Sequence, residues 1–505
     1  MMKKIVIVSI ICLYSVLSLS EDKGFAFTPY MRGVICNQIQ AYQAAVNILK
    51  EVLADEPNND KAYYQIGVSY FKLNQQDKAI SAFEKSIEIN PKNLAAYFDA
   101  GVVYFERKHY EKALKLYQRA NKAMPNQDFY HNIGITQEML GKSVKAIEAY
   151  QKSIEIKPKL DSYYRMGAIY SKLKQHQKAL DAYQQATNIN NFIPEIYFRI
   201  GYTYEIMKKH KKAVDSYKRA INLDPKNLIN YKELGISYYN LKQYNKALSA
   251  FQKVLKIKPN DHHGYHNTGL AYYKLKQYQK AIDAYQEAIK IKADSRGAYY
   301  NIGNIYAILK QYNKSTNAYQ MAININNKNI DAYVRMALNY LNLKQYKKAI
   351  GVFQQAIIVK PDNYKLYYSL GHTYNELKQY KKATKTYKQA IKIDPNQGGA
   401  YINLFELLLI QDQVFGQKLS NTFKKKFSSD KDRIMSFDVF NIFKKIDMNG
   451  TLKQTWQQNF RSKHKNAKFK DWVWGDIEDW INNKTKSRMA LQSALKFFKT
   501  FNEFE

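Results

Sequence analysis

The chain has 505 residues, of which 46% are apolar, so it contains ample material for a hydrophobic core. Proline and glycine are sparse, at 10 and 20 residues, which excludes a linker protein and a disordered chain. The formal net charge of +36 comes mostly from lysine; it is compatible with an anionic partner, but it bears first on solubility and non-specific binding.

Residues 1–20 have the pattern of a secretory signal peptide. Two lysines precede an apolar run from residue 5 to residue 19, and small residues stand at positions −3 and −1 before Glu21. The run is shorter than the ~20 residues that a membrane-spanning helix needs, so cleavage is favoured over an uncleaved anchor. The mature protein is therefore expected to be soluble and exported, either to a periplasm or out of the cell.

From residue 60 to residue 397 the sequence repeats every 33 or 34 residues. Within each copy, position 4 is tyrosine, position 8 is glycine except at Ala337, position 20 is alanine except at Ser315, and position 24 is phenylalanine or tyrosine. Proline stands at position 32 in seven copies, where it ends a helix because it cannot continue a helix interior. The ten copies are residues 60–93, 94–126, 127–159, 160–193, 194–227, 228–261, 262–295, 296–329, 330–363 and 364–397.

This spacing predicts two short amphipathic helices in every copy, A and then B, joined by a tight turn. The small residues at positions 8 and 20 lack bulk where the two helices cross, so the two backbones are expected to approach closely. The aromatic residues at positions 4 and 24 are expected to fill the space within and between copies. Repetition of this kind makes one elongated, stacked body rather than several separate globules.

The recurring residues resemble the tetratricopeptide repeat family, and the match covers roughly residues 60 to 397. The resemblance implies an all-α fold, a right-handed superhelical solenoid of helix–turn–helix repeats, with helix A lining a concave groove. Residues 21–59 are interpreted as a degenerate N-terminal repeat or cap, with Gly33 and Ala45 at positions 8 and 20. Residues 398–410 are expected to form a capping helix, because an open-ended solenoid exposes apolar surface.

Composition changes in residues 411–505, where all four tryptophans lie, and this segment is expected to form a small α-helical C-terminal segment. Leu495, Phe498 and Phe501 give its last helix an apolar stripe. Docking of that helix on the last repeats is favoured over binding to a partner or to a membrane surface, which nearby lysines would assist.

The family resemblance also implies that positions 2, 5, 6, 9, 12 and 13 of helix A face the ligand. Several of these positions carry tyrosine or phenylalanine, which are good anchors for an extended or helical peptide. Large rings are also often mostly buried, so packing between neighbouring A helices is an equal alternative for each ring. The candidate groove residues are Tyr64, Phe71, Phe98, Phe105, His131, Asn132, Tyr164, Phe198, Tyr239, His266, Asn267, Tyr273, Tyr300, Asn301, Asn304 and Tyr368.

No phosphate-binding glycine loop, nucleophile elbow or zinc-protease motif occurs, so no catalytic residue, cofactor or metal is predicted. His262, His263 and His266 have a spacing that could seat a transition metal, but solvated or groove-facing histidines are the favoured interpretation. The sequence favours an exported, non-enzymatic scaffold that binds a protein or peptide ligand. Two alternatives are the substrate-recruiting arm of an enzyme whose catalysis resides in residues 411–505, and a basic binder of an anionic polymer or membrane surface, without specific nucleic-acid recognition.

Overall fold

The computed structural model describes most of the chain after residue 26. The described residues are 27–411, 413, 416–430, 433–434, 437–443, 460, 462–464, 481–482, 491–492, 494–496 and 498. The predicted signal peptide, the four tryptophans and Phe501 lie outside them. All regular structure in the described residues is α-helical, and none of these helices combines the length and the apolar character that crossing a bilayer requires.

The described residues fall into two compact units, whose boundary lies between Ala250 and Phe251 within one helix. The first unit contains α1 (Pro29–Gln38), α2 (Tyr42–Asp55), α3 (Asp60–Lys72), α4 (Gln76–Ile89), α5 (Leu94–Glu106), α6 (Tyr110–Ala123), α7 (Gln127–Met139), α8 (Ser143–Ile156), α9 (Leu160–Lys172), α10 (His176–Ile189), α11 (Pro194–Ile206), α12 (His210–Leu223), α13 (Leu228–Asn240) and the first half of α14 (Tyr244–Ile257).

The second unit continues the same alternation of A and B helices and ends in further helices. It contains the rest of α14, then α15 (His262–Lys274), α16 (Tyr278–Ile291), α17 (Arg296–Ile308), α18 (Tyr312–Ile325), α19 (Ile330–Asn342), α20 (Tyr346–Val359), α21 (Tyr364–Glu376), α22 (Tyr380–Ile393), α23 (Gly398–Ile410) and α24 (Gln417–Lys426).

The glycine at position 8 leaves space for the aromatic ring at position 24 of the same repeat. A Cβ atom added to Gly67 would lie 2.5 Å from Cδ1 of Phe83, and one added to Gly371 would lie 2.7 Å from Cε1 of Tyr387. Both rings are fully buried. The sequence-based expectation, that small residues at positions 8 and 20 simply let the two backbones approach, is therefore revised. The glycine of helix A faces the ring of helix B, and this contact holds the two helices together. We call each such pair a glycine–ring lock.

The same lock recurs along the chain. The glycine–ring pairs are Gly67–Phe83, Gly101–Tyr117, Gly134–Tyr150, Gly167–Tyr183, Gly201–Tyr217, Gly269–Tyr285, Gly303–Tyr319 and Gly371–Tyr387. In the helix pair α1 and α2, which precedes the ten repeats, a Cβ on Gly33 would instead lie 2.5 Å from Cγ of Leu49. An aliphatic side chain thus occupies the place of the ring in this first pair.

The turn between helix A and helix B places position 15 in the left-handed region of backbone conformation. In the seventh repeat this residue is Lys276, with φ of 59°. The amide of Gln277 donates to the carbonyl of Tyr272 (2.9 Å) and that of Lys276 to Tyr273 (3.0 Å), the pattern that closes many helix C-termini. Position 15 has positive φ in all ten repeats: Asn74, Lys108, Gly141, Lys174, Lys208, Lys242, Lys276, Lys310, Lys344 and Lys378.

Replacing Lys276 by glycine is expected to stabilise the seventh repeat by about 1 kcal/mol, because glycine adopts positive φ without the steric penalty of a Cβ. The matched control is Lys253→Gly in the middle of α14, which should destabilise by about 1 kcal/mol because that residue is helical. Urea denaturation midpoints measure both changes. Destabilisation by both variants would contradict a strained backbone at position 15.

Helix α23 joins the repeats to the C-terminal segment through an aromatic core. Phe405 is fully buried, and its ring lies 4.8 Å from Phe437 and 5.3 Å from Phe423 between centroids. Leu495 and Phe498 are buried in the same apolar cluster. The described part of the last predicted helix therefore contributes to this core and packs with the helix that follows the tenth repeat.

Candidate functional site

The candidate groove residues lie on the A helices, nine in the first unit and seven in the second. Each is half-buried except His131, so most present part of their surface to solvent. At position 5 the rings do not stand free. Their centroids lie 5.4–6.3 Å from the buried ring at position 24 of the same repeat, in the pairs Tyr64–Phe83, Phe98–Tyr117, His131–Tyr150, Tyr164–Tyr183, Phe198–Tyr217, His266–Tyr285, Tyr300–Tyr319 and Tyr368–Tyr387.

The structure buries His131, one of the predicted groove residues, and both of its ring nitrogens are engaged within the protein. The side chain is 6% exposed. Its Nε2 lies 3.0 Å from Oδ2 of Asp161, and its Nδ1 lies 2.8 Å from Oγ of Ser162. The hydrogen bond with His131 helps lower the pKa of Asp161 to about 2. His131 therefore ties α7 to α9 and is a structural residue.

Several position-5 side chains form hydrogen bonds with side chains of the next A helix. The Tyr64 hydroxyl donates to Asp99 (2.9 Å), and Nε of Arg335 donates to the Tyr300 hydroxyl (3.0 Å). The Tyr164 hydroxyl lies 3.5 Å from Oε1 of Glu195. These bonds fix the orientation of the rings, so the exposed edges form an ordered surface rather than a set of mobile side chains.

The other predicted groove residues divide into packed rings and polar side chains. At position 12, Phe105 and Tyr239 pack against the residue that begins the following B helix, with ring centroids 5.2 and 5.5 Å from Tyr110 and Tyr244. Asn304, one of the four asparagines of the predicted set, accepts a hydrogen bond from the buried Tyr319 hydroxyl (2.8 Å). The half-buried members also include Phe71, Tyr273, Asn132, Asn267 and Asn301.

The three clustered histidines at the start of α15 are close together but form no metal centre. The rings of His262 and His263 lie 3.9 Å apart between centroids, while His266 packs against Tyr285. Burial, followed by the charges of the other two histidines, lowers the pKa of His266 to about 4. Among the described residues there is no group of three or more histidine, cysteine or acidic side chains arranged to hold a metal ion.

A polar cluster at the fifth and sixth repeats was missed by the sequence prediction. Glu205 accepts hydrogen bonds from Ser237 Oγ (2.9 Å), His210 Nδ1 (3.0 Å) and Asn240 Nδ2 (2.5 Å). The nearby Tyr217 hydroxyl is buried and has no hydrogen-bond partner within the described part of the chain. Its pKa is raised by burial and then by the charges of Glu233 and Glu205.

Tyr202 completes this cluster, and its ring is stacked on Phe198 at 6.4 Å with an angle of 20°. It is 45% exposed. Tyr202 and Glu233 occupy positions 9 and 6, both ligand-facing in the family, so inspection of every such position would have found them. Nothing in the sequence marks the Tyr217 hydroxyl, because tyrosine at position 24 is common to most repeats.

Tyr217→Phe is expected to stabilise the protein by about 1 kcal/mol, because it removes a buried hydroxyl that makes no hydrogen bond. Tyr319→Phe makes the same chemical change where the hydroxyl donates to Asn304, and should destabilise by about 1 kcal/mol. Hydrogen exchange of the α12 and α18 amides measures each effect locally. Equal destabilisation by the two variants would show that the Tyr217 hydroxyl has a partner in solution.

The repeated helix pairs, with a patterned face on each A helix, define a helical repeat protein. Sequence models described as "Tetratricopeptide repeat" match residues 60–93, 82–115, 127–160, 161–191, 194–227, 231–261, 297–329, 330–363 and 364–397, and one described as "TPR repeat" matches 269–310. Together they cover more than half of the chain, which belongs to the tetratricopeptide repeat family. No curated protein matches the chain by sequence.

Several solved structures are similar to parts of the chain. MamA protein is 27% identical over 33% of this chain and 92% of its own, with a TM-score of 0.32. The C-terminal part of a TPR repeat-containing protein from Cytophaga hutchinsonii is 22% identical over 47% of this chain and 99% of its own, with a TM-score of 0.43. YrrB, described as a TPR protein with an unusual peptide-binding site, is 20% identical over 37% and 96%, with a TM-score of 0.32.

Proposed function

We propose that this chain is an exported, non-enzymatic scaffold that binds a protein or peptide segment along the exposed edges of its A-helix side chains. Proteins of this repeat family generally mediate protein–protein interaction, and no enzyme family matches the chain. The observation that supports the proposal best is the series of position-5 rings. Apart from the buried His131, each is half-buried and packs on a neighbouring ring, and several are held by a hydrogen bond to the next repeat.

This arrangement suits a polypeptide because rings that are already ordered lose little conformational entropy when a ligand binds. Tyrosine offers both an apolar face and a hydroxyl, which are useful for side-chain and backbone contacts of a peptide. Since position 5 carries a ring in eight of the ten repeats, with Lys232 and Val334 in the other two, a partner would meet the rings at intervals of one or two repeats. An extended or helical segment can meet several rings of one unit, whereas a small molecule can meet one or two.

Photo-crosslinking tests the proposal. A photoreactive phenylalanine analogue placed at Tyr164, Tyr300 or Tyr368 should form adducts in the cell of origin. Mass spectrometry should map these adducts to discrete segments of a partner protein. The control is the same analogue at Phe192, which is 74% exposed and lies outside the A helices. If the analogue at Phe192 formed adducts with the same partners and in the same yield, this result would contradict a binding face on the A helices.

Export is the part of the proposal that rests on residues 1–20 alone. If the segment is a signal peptide, the protein isolated from its native compartment begins at Glu21. Replacing two residues of the apolar run, Ile7 and Ile10, by lysine should then leave the full-length chain inside the cell. Recovery of a soluble intracellular protein that keeps Met1 would contradict export without affecting the scaffold proposal.

Binding of an anionic polymer is a second candidate function, supported by the lysines of the turns. In the second unit Lys276, Lys310 and Lys344 are exposed at position 15. Position 19 is also lysine in these repeats, and its ammonium lies 5.5–5.8 Å from the centre of the tyrosine ring at position 11. In the segments from position 13 to position 19 of the last seven repeats, the sequence contains one acidic residue, Glu376.

Polyphosphate binding at several salt concentrations tests this second function. The affinity should fall steeply with rising salt, because binding of a polyanion releases its counterions. Converting Lys276, Lys310 and Lys344 to glutamine should weaken binding about tenfold. Because three cations are lost, the affinity should also depend less steeply on the salt concentration. The control converts three helical lysines, Lys253, Lys256 and Lys290. An equal effect of the control would indicate net charge rather than the turn lysines.

A further inference from the structure

The Tyr217 hydroxyl has no hydrogen-bond partner among the described residues, unlike the equivalent hydroxyls of the third, eighth and tenth repeats. The equivalent hydroxyl of Tyr150 donates to Glu138 (3.1 Å), and that of Tyr387 accepts from Asn403 (3.1 Å). Glu138 belongs to the A helix of the same repeat, and Asn403 belongs to α23, the helix that follows the tenth repeat. Tyr217 is fully buried and has two carboxylates nearby, but it bonds to neither. A buried hydroxyl without a partner is a free hydrogen-bonding group.

The two carboxylates beside Tyr217, those of Glu205 and Glu233, differ in the number of side chains that contact them. Glu205 is held by three side chains, as described above. Glu233 has one cation, Lys232, whose Nζ lies 3.5 Å from Oε1 and which is the adjacent residue on the same helix. Burial raises the pKa of Glu233 in spite of this lysine. A ligand ammonium would therefore replace Lys232 at the Glu233 carboxylate rather than add a further cation.

Aromatic rings lie beside these carboxylates. Phe198 packs on Tyr217 at 5.9 Å, and Tyr202 is stacked on Phe198. The guanidinium of Arg199 also lies over Phe198, but its Nε is bonded to Glu195, at the side of the helix that faces the preceding repeat. Tyr202 is 45% exposed, whereas Tyr217 is fully buried, so a ligand would reach the Tyr217 hydroxyl only if the Tyr202 side chain moved aside.

We propose that Glu233, the Tyr217 hydroxyl and the Tyr202 ring form a pocket for one lysine side chain of the bound peptide. The pocket rests on the proposed function, and it defines the chemistry of one partner residue. The lysine ammonium donates to the Glu233 carboxylate and to the Tyr217 oxygen, while the aromatic ring contacts its methylene groups and its charge. Lys232, with a side chain 33% exposed, turns into solvent when the ligand ammonium takes its place.

The geometry favours an ammonium over a guanidinium. Arginine is recognised best when a carboxylate accepts two parallel N–H bonds from its planar fork. Here one carboxylate shares the site with a single hydroxyl oxygen, which fits a compact cation whose donors point in several directions. The pocket therefore selects lysine within a peptide, and a preference for arginine would require a different arrangement of acceptors.

Selection from a displayed library of random dodecapeptides tests the proposal on the full mature chain. Peptides selected by the unmodified protein should contain lysine at one position about fivefold more often than the library. Glu233→Gln should abolish this enrichment and weaken the best lysine peptide about 20-fold. Tyr217→Phe should weaken it about fivefold, with the core intact, because phenylalanine already occupies position 24 at Phe83 and Phe353.

The control for charge is Glu148→Gln, which removes an exposed carboxylate from helix α8. It should leave the lysine enrichment and the affinity unchanged. Peptides selected without lysine enrichment, or with enrichment that survives Glu233→Gln, would overturn the pocket while leaving the scaffold proposal in place. Loss of enrichment in Glu148→Gln as well would overturn it in favour of general charge attraction. Failure to select any peptide contradicts the proposed function itself.

Discussion

Gly167→Val is expected to destabilise the fourth repeat by about 3 kcal/mol, because the new side chain overlaps a buried ring. A Cβ at this position lies 2.6 Å from Cε1 and 2.7 Å from Cδ1 of Tyr183. The ring is 1% exposed and is confined on another side by Tyr164, at 5.9 Å. It therefore has little room to move away. Valine is chosen because the ninth repeat accommodates an alanine, Ala337, opposite Phe353.

Hydrogen exchange of the α9 and α10 amides measures this loss, and a destabilisation of that size accelerates exchange about 100-fold. The matched control is Gly351→Ala. Gly351 lies inside α20, and an added Cβ meets nothing within 4 Å. Alanine should stabilise that helix by about 1 kcal/mol, since it is the better helix former. Stabilisation by both substitutions would show that the Tyr183 ring is not held against Gly167.

Phe405→Ala is expected to cost about 4 kcal/mol and to release the C-terminal segment from the repeats. The substitution leaves a cavity among the rings that surround Phe405, which include Phe423, Phe437 and Tyr401. Trypsin cleavage after Lys424, Lys425 and Lys426 in α24 reports the release. The rate should rise by two to three orders of magnitude, because cleavage follows the population of the open form.

The control for Phe405→Ala is Phe192→Ala, the removal of a ring that is 74% exposed in the link between two repeats. It should change stability by less than about 0.5 kcal/mol and leave the cleavage rate of α24 unchanged. A Phe405→Ala protein that is cut at the rate of the unmodified chain would show that the segment after residue 411 is held by contacts other than this core.

The helix pairs could be predicted from the sequence because periodicity encodes them directly. Tyrosine at position 4, glycine at position 8 and alanine at position 20 recur in register, and the structure places A and B helices accordingly. The role of the glycine was predicted less well. Periodicity shows that Gly167 must be small, but only the coordinates show that the neighbour is the Tyr183 ring. Small residues look alike in sequence whether a backbone or a ring approaches them.

The candidate site was harder to predict than the fold because accessibility depends on neighbours that lie one repeat away. His131 has the position of a groove residue, yet Asp161 and Ser162 engage both of its nitrogens. The Tyr217 hydroxyl shows the opposite case. The sequence gives no sign that it lacks a partner, because that depends on the side chains that hold Glu205. Hydrogen bonding between repeats, rather than residue type, decides which groups are free to bind a ligand.

The glycine–ring lock has a consequence for how this chain can change in length. Both members of a lock belong to one repeat, as Gly269 and Tyr285 do in the seventh. Recombination between equivalent positions of two repeats therefore adds or removes a whole lock and leaves the others intact. Because each repeat interacts mainly with its neighbours, the gene can gain or lose such a unit without redesign of the remaining core. Natural variation is then expected first in the number of repeats, and thus in the length of partner that the protein can accommodate.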